Sequence, residues 1–158
     1  MDLNKDSGTS LSIVIPVYNE QSNISRLHAE IVQVCTENSY AYEIIIVDDG
    51  STDKTAEISR NLSPVKYIRL RRNFGQTAAM DAGIKAAGNK YIVTMDGDLQ
   101  NDPKDIPPLI HHLEEQNFDA VSGWRKNRRD SLSKKIVSRL ANYLRSFMWQ
   151  LYYSNILS

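Results

Sequence analysis

The 158-residue sequence predicts an α/β domain with a mostly parallel, doubly wound sheet and helices on both faces. Short, continuous, β-branched apolar segments recur along the chain, which is typical of strands buried on both faces of a parallel sheet. Amphipathic segments lie between them, and alternation of strand and helix is the pattern of this fold class. The domain is expected over residues 11–145, between a flexible N-terminal segment, residues 1–10, and an aromatic C-terminal tail, residues 146–158.

The composition excludes several classes of protein. Hydrophobic residues make up 41% of the chain, charged residues 24%, and the formal net charge is zero. No global field therefore attracts nucleic acid, and no nucleic-acid partner is expected. The single cysteine, Cys35, excludes an internal disulfide framework and favours a reducing, cytoplasmic location. No apolar segment approaches the roughly 20 residues that cross a bilayer. The composition does not predict an oligomeric state.

A first βαβ unit is predicted near the N-terminus. Residues 12–17 read SIVIPV and residues 42–47 read YEIIIV, so both are predicted as buried strands. A helix is predicted between them, with an apolar face formed by Ile24, Leu27, Ile31, Val34 and Cys35. Such a unit places its two strands parallel to one another.

The alternation then continues toward the middle of the chain. A helix is predicted over residues 51–62, a strand over 65–70, and an alanine-rich helix over 75–88. Gly88 is expected to close this last helix, since glycine adopts the left-handed conformation common at helix ends.

Three further elements are predicted after the alanine-rich helix. Residues 91–95 (YIVTM) and 119–124 (DAVSGW) are predicted strands. A helix over 106–116 separates them, and prolines are tolerated in its first turn. A long amphipathic segment follows at 131–153. It is expected either to pack on the sheet or to lie in a membrane interface, because its apolar face is flanked by basic residues.

Polar clusters follow three of the predicted strands. They read PVYNE after the first strand, DDGSTD after the second and DGDLQ after the fourth. In open α/β sheets, ligands bind beyond the carboxyl ends of the strands, where the strand order reverses. Ordinary polar loops are the alternative, but acidic clusters at three carboxyl ends favour one shared crevice.

The clusters indicate a cation that in turn binds phosphates. The glycine-rich signatures of dinucleotide-binding proteins and P-loop NTPases are absent from the sequence. Asp96, Asp98 and Gln100 alternate, so in an extended segment their side chains would point the same way. Mg²⁺ binds to one or two carboxylates and completes its shell with water and phosphate oxygens. Gly97 would allow a ligand to approach the backbone.

Five segments together resemble the family 2 glycosyltransferases, which have the GT-A fold. They are SIVIPVYNE, IIIVDDGSTDKT, RRNFGQTAAMDAGIKAA, TMDGDLQNDP and GWRKNRRD, and the resemblance covers roughly residues 11 to 145. The branch most similar to this sequence transfers sugars from nucleotide donors to polyprenyl phosphates, as dolichol-phosphate mannose synthases and undecaprenyl-phosphate glycosyltransferases do. The resemblance implies an enzyme that transfers the sugar with inversion, uses Mg²⁺ or Mn²⁺, favours UDP over GDP, and acts at the cytoplasmic face of the membrane.

The resemblance also implies roles for individual residues. Those matching the family's nucleotide-contacting positions are Pro16, Tyr18, Glu20, Asp48, Asp49, Asp96, Gly97 and Asp98. Among them, Asp49, with Asp48 beside it, matches the residue that reads the base or ribose. Those matching its metal site are Asp96, Asp98 and Gln100, of which the two aspartates form the D-x-D motif.

Basic residues near the C-terminus complete the implied site. Arg125 matches a residue at the phosphates and, together with Asp98, is the expected catalytic pair. Arg128, Arg129 and Arg139 either contact the acceptor phosphate or form a solvated basic face, and both interpretations stay open. The family continues well beyond the segments present in this chain. The alternative to a complete transferase is therefore a catalytically incomplete nucleotide-sugar-binding module that needs a missing C-terminal segment or a partner.

Overall fold

The computed structural model of the protein describes residues 8–123. Its strands are β1 (Ser10–Val17), β2 (Ala41–Asp48), β3 (Lys66–Arg69) and β4 (Tyr91–Thr94). Its helices are α1 (Ile24–Glu37), α2 (Thr55–Asn61), α3 (Gln76–Ala86) and α4 (Ile106–Glu115), the last preceded by a 3₁₀ turn at Pro103–Asp105. The elements alternate in the predicted order.

The four strands form one parallel sheet with the order β3-β2-β1-β4. The chain builds outward from β1 through β2 to β3, and then returns to place β4 on the opposite side of β1. The strand order therefore reverses beside β1, which is where ligands bind in open α/β sheets. The predicted parallel, doubly wound sheet is confirmed.

Both faces of the sheet are covered. The larger hydrophobic core lies on the face of Leu11, Ile13 and Ile15, where side chains from α1 and α4 pack. The smaller core lies on the opposite face, where Val14 and Val47 pack against α3. Burial on both sides is the reason that the strand sequences are continuously apolar instead of alternating.

Helix α3 packs against the sheet through small residues on its inner face. Ala79 is fully buried, and a methyl group added at Gly83 would come within 3.0 Å of Val47 Cγ2 and would overlap the Val14 side chain. Real Cβ atoms rarely approach so closely. The small residues thus fix the distance of α3 from the sheet, and with it the position of the first turn of α3.

Three predicted elements differ from the structure. Gly88 does not cap α3: the helix ends at Ala86 and continues into extended backbone at Ala87, while the Gly88 N–H donates to Glu43 Oε1 at 2.7 Å. Residues 119–123 form no strand within the described part of the chain, consistent with the low β propensity of Asp and Gly. Helix α2 begins later than predicted, at Thr55. The Asp48 side chain accepts the Ser51 N–H of the preceding loop, and the Asp53 side chain accepts the N–H of Thr55, the first residue of the helix.

Parts of the other predictions lie outside the described residues. These are most of the N-terminal segment, Trp124 of the last predicted strand, the amphipathic segment at 131–153 and the tail at 146–158. Among residues 8–123, no helix has the length and apolar character needed to span a membrane.

The burial of His28 in α1 predicts that the folded state loses stability at acidic pH. His28 is 7% exposed, its Nε2 has no hydrogen-bond partner among the described residues, and burial lowers its pKa against a smaller opposing effect of the Pro64 backbone. Below the ordinary pKa of about 6.5, the unfolded chain binds a proton that the folded chain resists, so stability falls as the pH falls. We expect His28→Leu to lose less stability than wild type between about pH 7.5 and about pH 5.5, measured by urea unfolding.

The exposed His111 of α4 provides the control for this measurement. A His111→Gln variant should keep the acid sensitivity of the wild-type chain. Equal losses of stability in the wild type and in His28→Leu would show that other groups cause the acid sensitivity.

Candidate functional site

An open cavity of about 350 Å³ lies at the carboxyl ends of β1, β2 and β4. Its lining comes from four chain segments: the end of β1, the end of β2, the loop from β3 into α3, and the segment after β4. The lining residues are Pro16, Val17, Tyr18, Glu20, Asp49, Asn73, Gly75, Gln76, Ala79, Asp96, Gly97 and Asp98. The three polar clusters that follow separate strands in the sequence therefore meet around one space.

The first wall of the cavity joins the ends of β1 and β2. The Glu20 N–H donates to Thr55 Oγ1 at 2.8 Å, and the Thr52 N–H donates to Asn19 Oδ1 at 2.9 Å. Asn19 adopts a positive φ of 58°, which asparagine tolerates better than most residues. These bonds hold the Tyr18 side chain at the cavity, where it is 45% exposed.

Asp48, which the sequence places among the predicted nucleotide-contacting residues, does not line the cavity. Its side chain is fully buried and accepts hydrogen bonds from the Ser51 N–H at 2.8 Å and the Tyr67 hydroxyl at 2.6 Å. Burial, reinforced by the carboxylate of Asp48, raises the pKa of Tyr67 to about 12. The geometry gives Asp48 a structural role, because successive residues at a strand end project in opposite directions.

Asp49 does line the cavity, and it also holds one of the walls. Its carboxylate accepts the Phe74 N–H on Oδ1 and the Gly75 N–H on Oδ2, both at 2.8 Å. Gly50, with φ of 74°, allows the backbone of Arg72 to pass directly over it, since a Cβ there would lie 2.6 Å from the Arg72 carbonyl carbon. The loop that follows β3 is thereby fixed against the end of β2.

The loop after β3 supplies cavity residues that sequence reasoning did not assign. Asn73, Gly75 and Gln76 all line the cavity. A signal was present: the loop follows a strand end, as the three acidic clusters do, and it contains a glycine directly before a helix. Gly75 adopts φ of 95°, a conformation that favours glycine.

The segment after β4 forms a turn and is not extended. Leu99 has a positive φ of 62°, and the Gln100 N–H donates to Asp98 Oδ1 at 3.0 Å. Asp96 and Asp98 line the cavity, but Gln100 lines a second cavity beside α1. The prediction that these three side chains point the same way assumed an extended segment, whereas the segment turns at Leu99.

Asp96, Gly97 and Asp98 line the end of the cavity that follows β4. Asp98 is exposed, while Asp96 Oδ1 accepts a hydrogen bond from Gln76 Nε2 at 2.7 Å. Within residues 8–123 no group of three or more histidine, cysteine or acidic side chains is arranged to hold a metal ion. Two carboxylates nevertheless suit Mg²⁺ or Mn²⁺ when phosphate oxygens and water supply the remaining ligands. Arg125, Arg128, Arg129 and Arg139 lie outside the described residues.

The α/β domain with its parallel sheet has the GT-A fold of glycosyltransferases, as its similarity to solved structures shows. A solved structure of glucosyl-3-phosphoglycerate synthase from Mycobacterium tuberculosis, in complex with UDP, is similar with a TM-score of 0.56 at 26% identity. The similarity covers 67% of this chain and 40% of that chain. Transferases with this fold generally use a divalent metal ion. The predicted fold is confirmed.

The family follows from sequence comparison. The model of glycosyl transferase family 2 matches residues 12–157, and the chain belongs to this family, as predicted. It is 46% identical over 140 residues to dodecaprenyl-phosphate galacturonate synthase of Rhizobium johnstonii, covering 85% of this chain and 41% of that protein. It is 42% identical over 139 residues to undecaprenyl-phosphate 4-deoxy-4-formamido-L-arabinose transferase of Yersinia pestis, covering 85% of this chain and 42% of that protein. The chain thus spans about two-fifths of the length of these relatives.

Proposed function

We propose that this chain forms the donor-binding part of a glycosyltransferase that moves a sugar from a nucleotide diphosphate to a polyprenyl phosphate. The observation that carries the proposal is the single cavity that brings Asp49 together with Asp96 and Asp98. The names of the two relatives, each containing a polyprenyl phosphate and a sugar, support the lipid acceptor.

The proposed donor spans the carboxyl ends of three strands. Asp49 follows β2 while Asp96 and Asp98 follow β4, with β1 between them. Adjacent strands lie about 4.8 Å apart, so the two ends of the site are about 10 Å apart. A nucleoside diphosphate is long enough to place its base or ribose at Asp49 and its phosphates at the two aspartates. Pro16, Tyr18 and Glu20 would line the intervening wall.

The chemistry requires charge stabilisation at the phosphates. A Mg²⁺ or Mn²⁺ ion bound at Asp96 and Asp98 would act as a Lewis acid that neutralises the diphosphate leaving group. Asp98, exposed at the cavity, would hold the donor phosphates through that ion, and Arg125 would contribute a second positive charge. A phosphate acceptor is already anionic, so no strong general base is needed. A single in-line displacement then inverts the anomeric centre.

The nucleotide can be identified by thermal unfolding. The UDP complex of the Mycobacterium tuberculosis relative favours UDP over GDP. A ligand at 100 times its Kd stabilises the folded chain by about 2.7 kcal/mol. We expect UDP with Mn²⁺ to raise the Tm more than GDP with Mn²⁺ or either component alone. A Tm that no nucleotide diphosphate raises, with or without Mg²⁺ or Mn²⁺, would contradict donor binding.

A second candidate function is a binding module that does not catalyse transfer by itself. The observation that favours it is that the described residues which line the cavity include Pro16, Tyr18, Glu20, Asp49, Asp96 and Asp98, all assigned to the donor. Incubation with a UDP-sugar and a short polyprenyl phosphate separates the two functions. Lipid-linked product identifies a transferase, whereas saturable donor binding without product or donor hydrolysis identifies the module.

The proposed location is the cytoplasmic face of the membrane, where a lipid acceptor would be reached. The basic amphipathic segment at 131–153 is the proposed contact with anionic lipid. Flotation with anionic vesicles should therefore recover the full chain at low salt, and recovery should be lost on truncation after Asn142. Full-length chain that stays in the soluble fraction would contradict the membrane contact while leaving donor binding untouched.

Gly97 is expected to be needed for ligand access. A methyl group added at Gly97 would lie 2.9 Å from Val17 Cγ1 and 3.4 Å from Glu20 Cγ. The Gly97→Ala variant should therefore displace the cavity wall at a cost of about 1–3 kcal/mol of stability, and should weaken binding of UDP with Mn²⁺ about tenfold, measured by calorimetry.

Gly88→Ala is the matched control for this variant. A methyl group at Gly88 would meet only Glu43 Oε1, at 3.5 Å, which is an ordinary contact. If Gly97→Ala binds UDP and Mn²⁺ as tightly as Gly88→Ala does, the wall formed by Gly97 does not contact the donor.

A further inference from the structure

We infer that Gln76 is a positioning residue that orients the Asp96 carboxylate, an inference that rests on the proposed function. Gln76 is the first residue of α3. Its side-chain amide donates from Nε2 to Asp96 Oδ1 at 2.7 Å, across 20 residues of sequence. A hydrogen bond to a carboxylate is shorter and stronger than one between neutral groups. Asp96 is thereby fixed by a side chain from a different element.

The support beneath Gln76 is rigid. The neighbouring Gly75 N–H donates to Asp49 Oδ2 at 2.8 Å, and one turn further along the helix Ala79 is fully buried against the sheet. The start of α3 is therefore held by the hydrogen bond to Asp49 and by the packing of Ala79 on the sheet. Gly75 donates to Asp49, which follows β2, and the adjacent Gln76 donates to Asp96, which follows β4. The start of α3 therefore connects the proposed nucleoside end of the cavity with its proposed phosphate end.

The chemistry of glutamine suits this position. A lysine or arginine at residue 76 would neutralise Asp96 and compete with a cation for it, whereas a neutral amide orients the carboxylate and leaves its negative charge. A second carboxylate at residue 76 would repel Asp96. Residues that orient metal-binding side chains in this way change metal affinity by about 10–100-fold when they are replaced.

Calorimetry on the full chain tests the role of Gln76. UDP is titrated into wild type and Gln76→Met, first with EDTA and then with Mn²⁺. Methionine keeps the length and helix propensity of glutamine but cannot donate a hydrogen bond. We expect the increase in UDP affinity caused by Mn²⁺ to be about tenfold smaller in Gln76→Met than in the wild type. The affinity for UDP without metal should change by less than about twofold.

The Gln33→Met variant is a matched control. Gln33 is exposed on α1, and its Nε2 donates to Glu37 Oε1 at 2.8 Å, so the same type of hydrogen bond is removed away from the cavity. Mn²⁺ should raise the affinity of this variant for UDP as much as it does in the wild type. In an Asp96→Ala background, Gln76→Met should have no further effect, because a residue that acts through Asp96 cannot act in its absence.

Two results would overturn the inference without touching the proposed function. One is a Gln76→Met variant in which Mn²⁺ raises the affinity for UDP as much as it does in the wild type. The other is an equal loss of affinity with and without Mn²⁺, which would indicate that Gln76 only shapes the cavity. A wild-type chain that binds UDP with no help from Mn²⁺ would contradict both the metal-dependent donor site and the role of Gln76.

Discussion

Asp98→Asn is expected to remove the Mn²⁺-dependent part of UDP binding while leaving the fold intact. Asp98 is exposed at the cavity, and its Oδ1 accepts the Gln100 N–H at 3.0 Å. Asparagine retains an oxygen for that bond, so the turn is preserved, but it lacks the negative charge that attracts a hard cation. Because residues that merely orient metal ligands change affinity by about 10–100-fold, loss of a direct ligand should reach the upper end of that range.

Asp102→Asn provides a close control for Asp98→Asn. Asp102 is also exposed, and its Oδ1 accepts the N–H of Lys104, two residues later, at 3.0 Å, the same local geometry as at Asp98. Both variants therefore make the same chemical change in the same kind of turn, but only Asp98 lines the cavity. Calorimetry with Mn²⁺ and UDP distinguishes them, and equal affinities in the two variants would remove Asp98 from the site.

Asp49→Ala is expected to weaken UDP binding even without metal and to destabilise the fold. Its carboxylate is 3% exposed and accepts two backbone N–H groups, at 2.8 Å each. Bonds to a charged group contribute about 1.5–3 kcal/mol each, so a loss of about 3 kcal/mol of folding free energy is expected in urea unfolding. The loop after β3 should loosen, and the proposed contact with the base or ribose disappears.

Asp48→Asn separates the two effects of Asp49→Ala. Asp48 is equally buried and also accepts two hydrogen bonds, but it does not line the cavity. Both variants should be less stable than wild type. At a temperature where both are folded, only Asp49→Ala should lose affinity for UDP measured in EDTA. A loss that appears only when Mn²⁺ is present would contradict the assignment of Asp49 to the nucleoside.

The strands and the meeting of the acidic clusters could be predicted because both follow from general rules of α/β sheets. A segment such as Ile44–Val47, apolar at every position, has to be buried on both faces. Clusters at the carboxyl ends of parallel strands lie at the same edge of the sheet. Neither inference requires knowledge of individual side-chain positions.

Apart from the strand that residues 119–123 do not form, the differences between prediction and structure concern local backbone geometry. The segment after β4 turns at Leu99, which adopts a positive φ, and a pattern of alternating side chains cannot reveal such a turn. Asp48 and Asp49 are chemically identical, and only the alternation at the end of β2 separates the buried carboxylate from the one at the cavity. Gly75 contributes a backbone N–H, a group that carries no mark in the sequence.

The hydrogen bonds from Phe74 and Gly75 to Asp49 also bear on the thermodynamics of ligand association. They order the rim of the cavity before any ligand arrives, so the conformational entropy of that loop is lost during folding and not during binding. Ordering a mobile loop on association is one of the main costs that reduce affinity. Because this loop is already ordered, a nucleotide can bind beside Asp49 without a conformational change of the loop. The association rate should then depend on diffusion and on the orientation of the nucleotide.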